Sequence, residues 1–270
     1  MRTVYREKKY ICGEYLDVYI YPVFETGPRK GRRAARRKPS TEVQKKLNQK
    51  HRQEELTRIL HANFTPKDIE IHLTYAEAPE SDKEAARMMR NYIRRIQRLR
   101  KKMDLTPLKY VAVTEQGKKG GRYHHHITVN GGIDRDTLES LWPHGYANSR
   151  RLQFTEEGVA GLAKYITKSV PEDEETPGKK AWSCSKNFVH PEPRTRDGRI
   201  SGKKARELAE HKQDSARFEK LYPGYLVSEV EAFHNDVNGG CYLSVRLYRK
   251  DGKFIKQKLK KGRRKRGDGG

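Results

Sequence analysis

The chain has 270 residues, with 59 Lys plus Arg against 35 Asp plus Glu, a net charge of +24 and only 34% hydrophobic residues. Charge of one sign at that density opposes compaction and calls for a polyanionic partner. Cys12, Cys184 and Cys241 are far apart and odd in number, which argues against a disulfide framework and against a thiolate zinc site. No signal-like apolar stretch or membrane-length run is visible, so the sequence predicts a cytosolic protein without a membrane partner.

Composition and punctuation divide the chain into 1–62, 63–190 and 191–270. Alternation of Tyr15, Asp17 and Tyr19 with Leu16, Val18 and Ile20 predicts short strands over 1–28, closed by Gly27-Pro28. A basic block from Arg29 to Lys38 and a polar helix over Thr41–His61 follow. After Asn63-Phe64-Thr65-Pro66 the pattern becomes regular. Ile69, Ile71, Leu73 and Tyr75 alternate with Glu70, His72 and Thr74, predicting a half-buried strand. Ser81 with Glu84 forms a capping box for a helix to about Met103. Its apolar stripe is Ala85, Met88, Tyr92, Ile96, Leu99 and Met103, and the rest is mostly arginine and lysine.

Lys109–Thr114 predicts a second strand, and a Gly-rich turn leads into a third beginning at Tyr123. Asp134–Trp142 reads as a short helix and Gly145–Leu152 as a fourth strand. Thr155 is placed to cap a helix running to about Ser169. The order β-α-β-β-α-β-α suits an α+β fold, an antiparallel sheet with helices on one face and the other face open for a substrate. Beyond it lie a charged helix over Lys203–Leu221, two strand-like runs around Asn238-Gly239-Gly240 that mark a hairpin, and a basic tail over Lys256–Arg266.

The chemistry is concentrated in Tyr123-His124-His125-His126-Ile127-Thr128-Val129. Along a strand, His124 and His126 project together while His125, Ile127 and Val129 face the other way. The same parity puts His72 and Thr74 opposite the isoleucine face. Two imidazoles and a carboxylate can hold a divalent ion that polarises a phosphate. Glu115, nine residues before His124 across a tight turn, is the candidate third ligand, with Gln116 as the alternative. Glu115 shares its parity with Val111 and Val113, so its use calls for a bulge or a turn at the strand end. Imidazoles suit Mn2+ better than Mg2+, while availability favours Mg2+.

Tyr165 and Lys168 lie three apart on the last helix of this region, on a flank beside the stripe Val159, Leu162, Ile166. A phenolate there can attack phosphorus, and the ammonium can stabilise the charge that develops. Gly161, one turn earlier, leaves room for a nucleic-acid backbone. Tyr5-Arg6-Glu7-Lys8 has the same spacing, so Tyr5 is the competing nucleophile. Arg150, Arg151, Lys164 and Tyr146 are candidate DNA contacts; Trp142 and Trp182 suit stacking on bases or, in preference, the core.

These residues resemble the HUH endonuclease superfamily, in particular the rolling-circle replication initiators of bacterial plasmids, phages and integrated elements. The match rests on Ile71-His72-Leu73-Thr74-Tyr75, on Glu115 with His124-His125-His126-Ile127, and on Tyr165-Ile166-Thr167-Lys168. Leu141 to Ser149 and Ala181 to Asn187 look like surrounding text of the same branch. The resemblance implies a ferredoxin-like, five-strand antiparallel sheet in a bacterial cytoplasmic protein. It implies a metal-dependent nick in one strand of origin DNA through a 5′-phosphotyrosine, followed by rejoining. With glycine at 161, where two-tyrosine members carry the second, a one-tyrosine mechanism is implied. The second cleavage then falls to a second subunit, as in a homodimer, or to an activated water. No Gly-x-x-x-x-Gly-Lys-Ser loop is visible, so a host helicase and polymerase are the expected partners. A transposase or mobilisation relaxase with the same chemistry, a zinc hydrolase acting through bound water, and a non-catalytic basic nucleic-acid-binding protein are the alternatives.

Overall fold

The computed structural model describes residues 4–24, 42–116, 121–167, 182–236 and 238–253. Both basic blocks, most of the turn before the histidine strand, and Lys168 lie outside the described residues. In chain order the first elements are β1 (Val4–Cys12), β2 (Tyr15–Val23) and α1 (Glu42–Asn63). Next come β3 (Ile69–Thr74), α2 (Asp82–Lys102), β4 (Tyr110–Gln116) and β5 (Tyr123–Val129). Then follow α3 (Arg135–Ser140), β6 (Ala147–Arg151), α4 (Ala160–Thr167) and β7 (Ser183–Cys184). The chain continues through β8 (Arg194–Asp197), α5 (Gly202–Glu210), α6 (Ser215–Leu221), β9 (Tyr225–Asn235) and β10 (Gly240–Arg249).

Two antiparallel five-strand sheets organise these elements, ordered β6-β3-β5-β4-β7 and β8-β1-β2-β10-β9. The first is the sheet expected from the α+β pattern. Ile69, Ile71, Leu73, Ala112, Ile127 and Val129 bury one of its faces against Met89, Tyr92, Ile93 and Ile96 of α2. Ser81 caps α2 as its sequence suggests, accepting from the Glu84 N–H at 3.2 Å. The return arm of the box goes one residue further out: the Glu84 carboxylate accepts from the Glu80 N–H, not from Ser81. At the other end the buried Arg100 donates to the carbonyls of Thr106, Asn130 and Gly131. Those bonds satisfy a cation that burial otherwise penalises.

The opposite face of that sheet is partly covered as well. Leu56, Ile59 and Leu60 of α1 pack with Val159 and Ala163 against Val111 and Val113 of β4. Tyr15 and Tyr248, from the second sheet, complete this cluster. A single helix thereby serves both sheets, and it is a polar one because only a narrow stripe of it is buried.

The second sheet joins the two ends of the chain. β2 pairs with β1 and with β10, and β8 adds to the outer edge of β1. Leu16, Val18, Ile20, Leu243, Val245 and Leu247 bury its far face under Leu208 of α5 and Phe218 of α6. The Asn238-Gly239-Gly240 hairpin forms as its sequence indicates, joining β9 to β10. The charged helix over 203–221 is instead two helices, broken between His211 and Asp214.

Candidate metal centre

β5 is the middle strand of its sheet, with β3 on one side and β4 on the other. Register decides what meets across it. His126 lies opposite His72 on β3, and His124 opposite Glu115 on β4. Directly opposed residues of an antiparallel pair share a face, so His72, His124, His126 and Glu115 all project from one side. One ligand atom from each of the three histidines lies within 4.8 Å of the others. The rings of His72 and His126 stack at 4.7 Å, and His124 stands edge-on to both at 5.4 Å.

The third imidazole is therefore His72, which the sequence put on the correct face without assigning it to the metal. Glu115 needs no bulge. Val111 and Val113 belong to the histidine face, buried there by α1 and α4, and Glu115 continues their row. Its Oε2 is 2.9 Å from His124 Nε2. Its Oε1 is buried and has no hydrogen-bond partner. Gln116 has the opposite parity, pairs with Tyr123, and is exposed.

Electrostatics sorts the imidazoles. His124 is raised above the ordinary imidazole value by its bond to Glu115, against the opposing effect of burial. His72 is lowered, first by burial and then by the neighbouring His126 and His124. The buried Glu70 lies beside His126, 3.6 Å from its Nδ1, and accepts a 2.7 Å bond from Arg150 Nε. Burial pushes the Glu70 carboxyl up, but His126 and Arg150 outweigh it and hold it below its usual value. A carboxylate behind a ligating imidazole fixes the ring and raises its basicity.

His125 does none of this. It faces the other way, fully buried, with Nε2 2.5 Å from the Tyr75 hydroxyl and Nδ1 2.9 Å from Thr114 Oγ1. Burial drives its pKa down to about 3. Trp142 joins the same core and donates to the Thr74 carbonyl at 2.8 Å, so its role is packing. Trp182 is partly buried against the cluster under α1.

The donor set fits a cation. Three clustered imidazoles plus a buried carboxylate oxygen offer nitrogen and oxygen ligands, and the proton shared by His124 and Glu115 is what a metal displaces.

α4 reaches this face through Val159 and Ala163. It starts at Ala160, later than a Thr155 cap would place it. Thr155 and Gly158 instead close a tight turn. Buried His61 of α1 accepts the Val159 N–H at 3.0 Å and stacks on Tyr15 at 4.0 Å, while the Tyr15 hydroxyl donates to the Thr155 carbonyl. Gly158 has φ +66°, and a Cβ there would run into the His61 ring. Tyr165 lies on the last turn of α4; its side chain, like all of Lys168, is outside the described residues. Gly161 is exposed with open space around its missing Cβ, and Lys164 is exposed on the same helix. Tyr5 is buried in the second sheet's core, its hydroxyl accepting the Cys241 N–H, which removes it as a nucleophile in this fold.

The proposed DNA contacts divide. Arg150 lies opposite Glu70 on the histidine face, and Tyr146, 67% exposed, is held there by a bond from Asn148. Arg151 has the other parity, opposite Ile69, and donates to the Lys67 carbonyl.

An antiparallel α+β sheet carrying three histidines on a half-open face, in a strongly basic chain, defines a class of protein equipped for a metal and a polyanion. Residues 69–170, from β3 past the end of α4, match a family model described as replication-associated protein ORF2, which is consistent with a rolling-circle replication initiator. No curated protein and no solved structure matches the chain. The matched segment contains His72, Glu115, His124, His126, Tyr165 and Lys168, whereas the second sheet lies wholly outside it. The family supports a role in replication with DNA as partner. No helix among the described residues is long and apolar enough to cross a membrane.

Proposed function

We propose that this protein nicks one strand of origin DNA in a metal-dependent reaction, forming a 5′-phosphotyrosine at Tyr165, and later rejoins the ends to drive rolling-circle replication. The observation that carries this reading is the convergence of His72, His124 and His126 within 4.8 Å on the sheet face against which α4 packs. A bound Mn2+ or Mg2+ supplies Lewis-acid polarisation of the scissile phosphate. The chain's own groups do the rest. Glu70 and Glu115 orient the imidazoles. The Tyr165 phenolate attacks phosphorus, and the 3′-oxygen leaves with its electron pair and takes up a proton. Lys168 stabilises negative charge on the phosphoryl oxygens. Rejoining reverses these steps, with a 3′-hydroxyl expelling the phenolate.

Arg150, Tyr146 and Lys164 are positioned as contacts for the single strand, and Arg151 as a contact on the far side of β6. A host helicase and polymerase complete the replication cycle, and a second subunit is the simplest source of a second tyrosine.

The test uses single-stranded oligonucleotides tiled over the DNA flanking the gene, incubated with the protein and Mn2+. The wild type forms a covalent adduct stable in denaturing gels, and Tyr165→Phe forms none. Cleavage without adduct in the wild type supports a metal-bound water as nucleophile and overturns the tyrosine mechanism.

A further inference from the structure

α2 presents to solvent a row of cations that the nicking site does not use. Lys83, Arg87, Arg90, Arg94, Arg98 and Lys101 are all exposed. Their spacings of four, three, four, four and three residues keep them within one narrow sector of the helix. Ala85, Met89, Tyr92, Ile93 and Ile96 occupy the opposite side, buried against the sheet. At 1.5 Å per residue the row is about 27 Å long, with a charge at roughly every turn. Of the six, Arg87 alone among the described residues has an ion pair, with Glu84. The acidic residues of the helix are confined to its first turn. Like charges at these spacings cost a few tenths of a kcal/mol per pair, so the helix carries a penalty that an anionic partner would relieve.

We infer that this row is a docking surface for the phosphate backbone of double-stranded DNA, separate from the single-strand site. Two observations select the duplex. Surfaces for single strands interleave cations with aromatic platforms on which bases stack. Here the only aromatic residue between Lys83 and Lys101 is Tyr92, which is fully buried with its hydroxyl bonded to the Leu138 carbonyl. A straight, rigid row of charge also suits a stiff polyanion carrying one charge per about 1.7 Å of axis. α2 packs on the isoleucine face of the sheet, and the histidines project from the opposite face. Duplex bound on α2 therefore leaves the candidate metal centre free for a single strand, so flanking duplex and the strand to be cut can be held together.

The inference takes from the proposed function only that the polyanion is DNA. Its test compares the full-length wild type with the triple variant Arg90→Gln, Arg94→Gln, Arg98→Gln, glutamine being a good helix former. Affinity for a 25-base-pair duplex is measured by fluorescence anisotropy across a KCl series. Circular dichroism confirms an unchanged helix content. Loss of three phosphate contacts lowers the slope of log affinity against log salt by up to about 2.7. Affinity for a single-stranded oligonucleotide and for Mn2+ stays as in the wild type. An unchanged duplex slope would show the row to be merely solvated. A loss as large on the single strand would assign it to that strand, and a variant that binds both DNAs normally but fails to bind an acidic protein column would make the partner a protein. Adduct formation at Tyr165 is read separately, so a protein that docks duplex through α2 but forms no adduct keeps this inference and loses the nicking reaction.

Discussion

At the residue scale, the site is built by register. His-x-His on a strand was legible because alternation alone sends His124 and His126 to one face. His72 carried the same signal, yet parity gives a face and not a neighbour. Only the pairing of β3 with β5, a contact across more than 50 residues, puts His72 opposite His126. Glu115 was legible as a ligand candidate and its orientation was not. Val111 and Val113 look like ordinary core residues, and alternation cannot say which of two cores they enter. They enter the one under α1, so Glu115 needs no distortion to meet His124.

Two predictions follow from this geometry. Glu115→Gln should weaken Mn2+ binding about ten-fold or more by calorimetry, whereas Gln116→Ala, which faces away, should leave it unchanged. Glu70→Gln should weaken it by about 10- to 100-fold, the range seen when a carboxylate behind a ligating histidine is lost. Wild-type affinity in both carboxylate variants would mean that the imidazoles alone hold the ion.

At the element scale, α4 is held by contacts invisible in its own sequence. The stripe of Val159 and Leu162 predicted its buried side correctly. Its start was misplaced because Thr155 looks like a cap, while the actual anchor is His61, 98 residues earlier. Gly158→Ala would put a Cβ against the His61 ring in a backbone conformation that costs a non-glycine residue at least about 1 kcal/mol. We expect a lower melting temperature and impaired adduct formation, with Mn2+ binding retained.

His61 also imposes a pH dependence. Burial, helped by the charge of Arg246, holds its pKa well below the ordinary imidazole value. The unfolded chain takes up this proton near pH 6.5 and the native state does not. Stability from the neutral ring is thus complete above about pH 6.5 and declines as pH falls below it, by at most about 1.4 kcal/mol per unit. Chemical denaturation from pH 7.5 to 5 should show this decline, and His61→Gln should flatten part of it. Equal slopes in both proteins would remove His61 as a source.

At the scale of the whole molecule, the two ends of the chain build one sheet, and that sheet supports the site from behind α1. The hairpin around Gly239 was readable from its turn residues. Its partner, β2, is more than 200 residues away, and nothing local to either strand names the other. This arrangement bears on the segment 63–190, which the sequence suggests as a unit. Cut out alone, it would expose Val111, Val113, Leu152 and Phe154, now covered by Leu56, Ile59 and Leu60 of α1. Each such side chain contributes about 1.5–3 kcal/mol when buried. We therefore expect the 63–190 fragment to bind a hydrophobic dye and to unfold at lower denaturant than the full chain. A fragment that melts cooperatively at the full-length temperature would show that the second sheet is an appendage.

The central claim is that three histidines on β3 and β5 serve one phenol on α4. Peptide mass mapping of the protein–DNA adduct, after reaction of the full chain with tiled single-stranded DNA and Mn2+, tests it most directly. The account predicts one nucleotide-bearing peptide, modified at Tyr165, and its disappearance in His72→Ala and in a chelator. A modification on any other residue, or a full yield of adduct without His72, would contradict it.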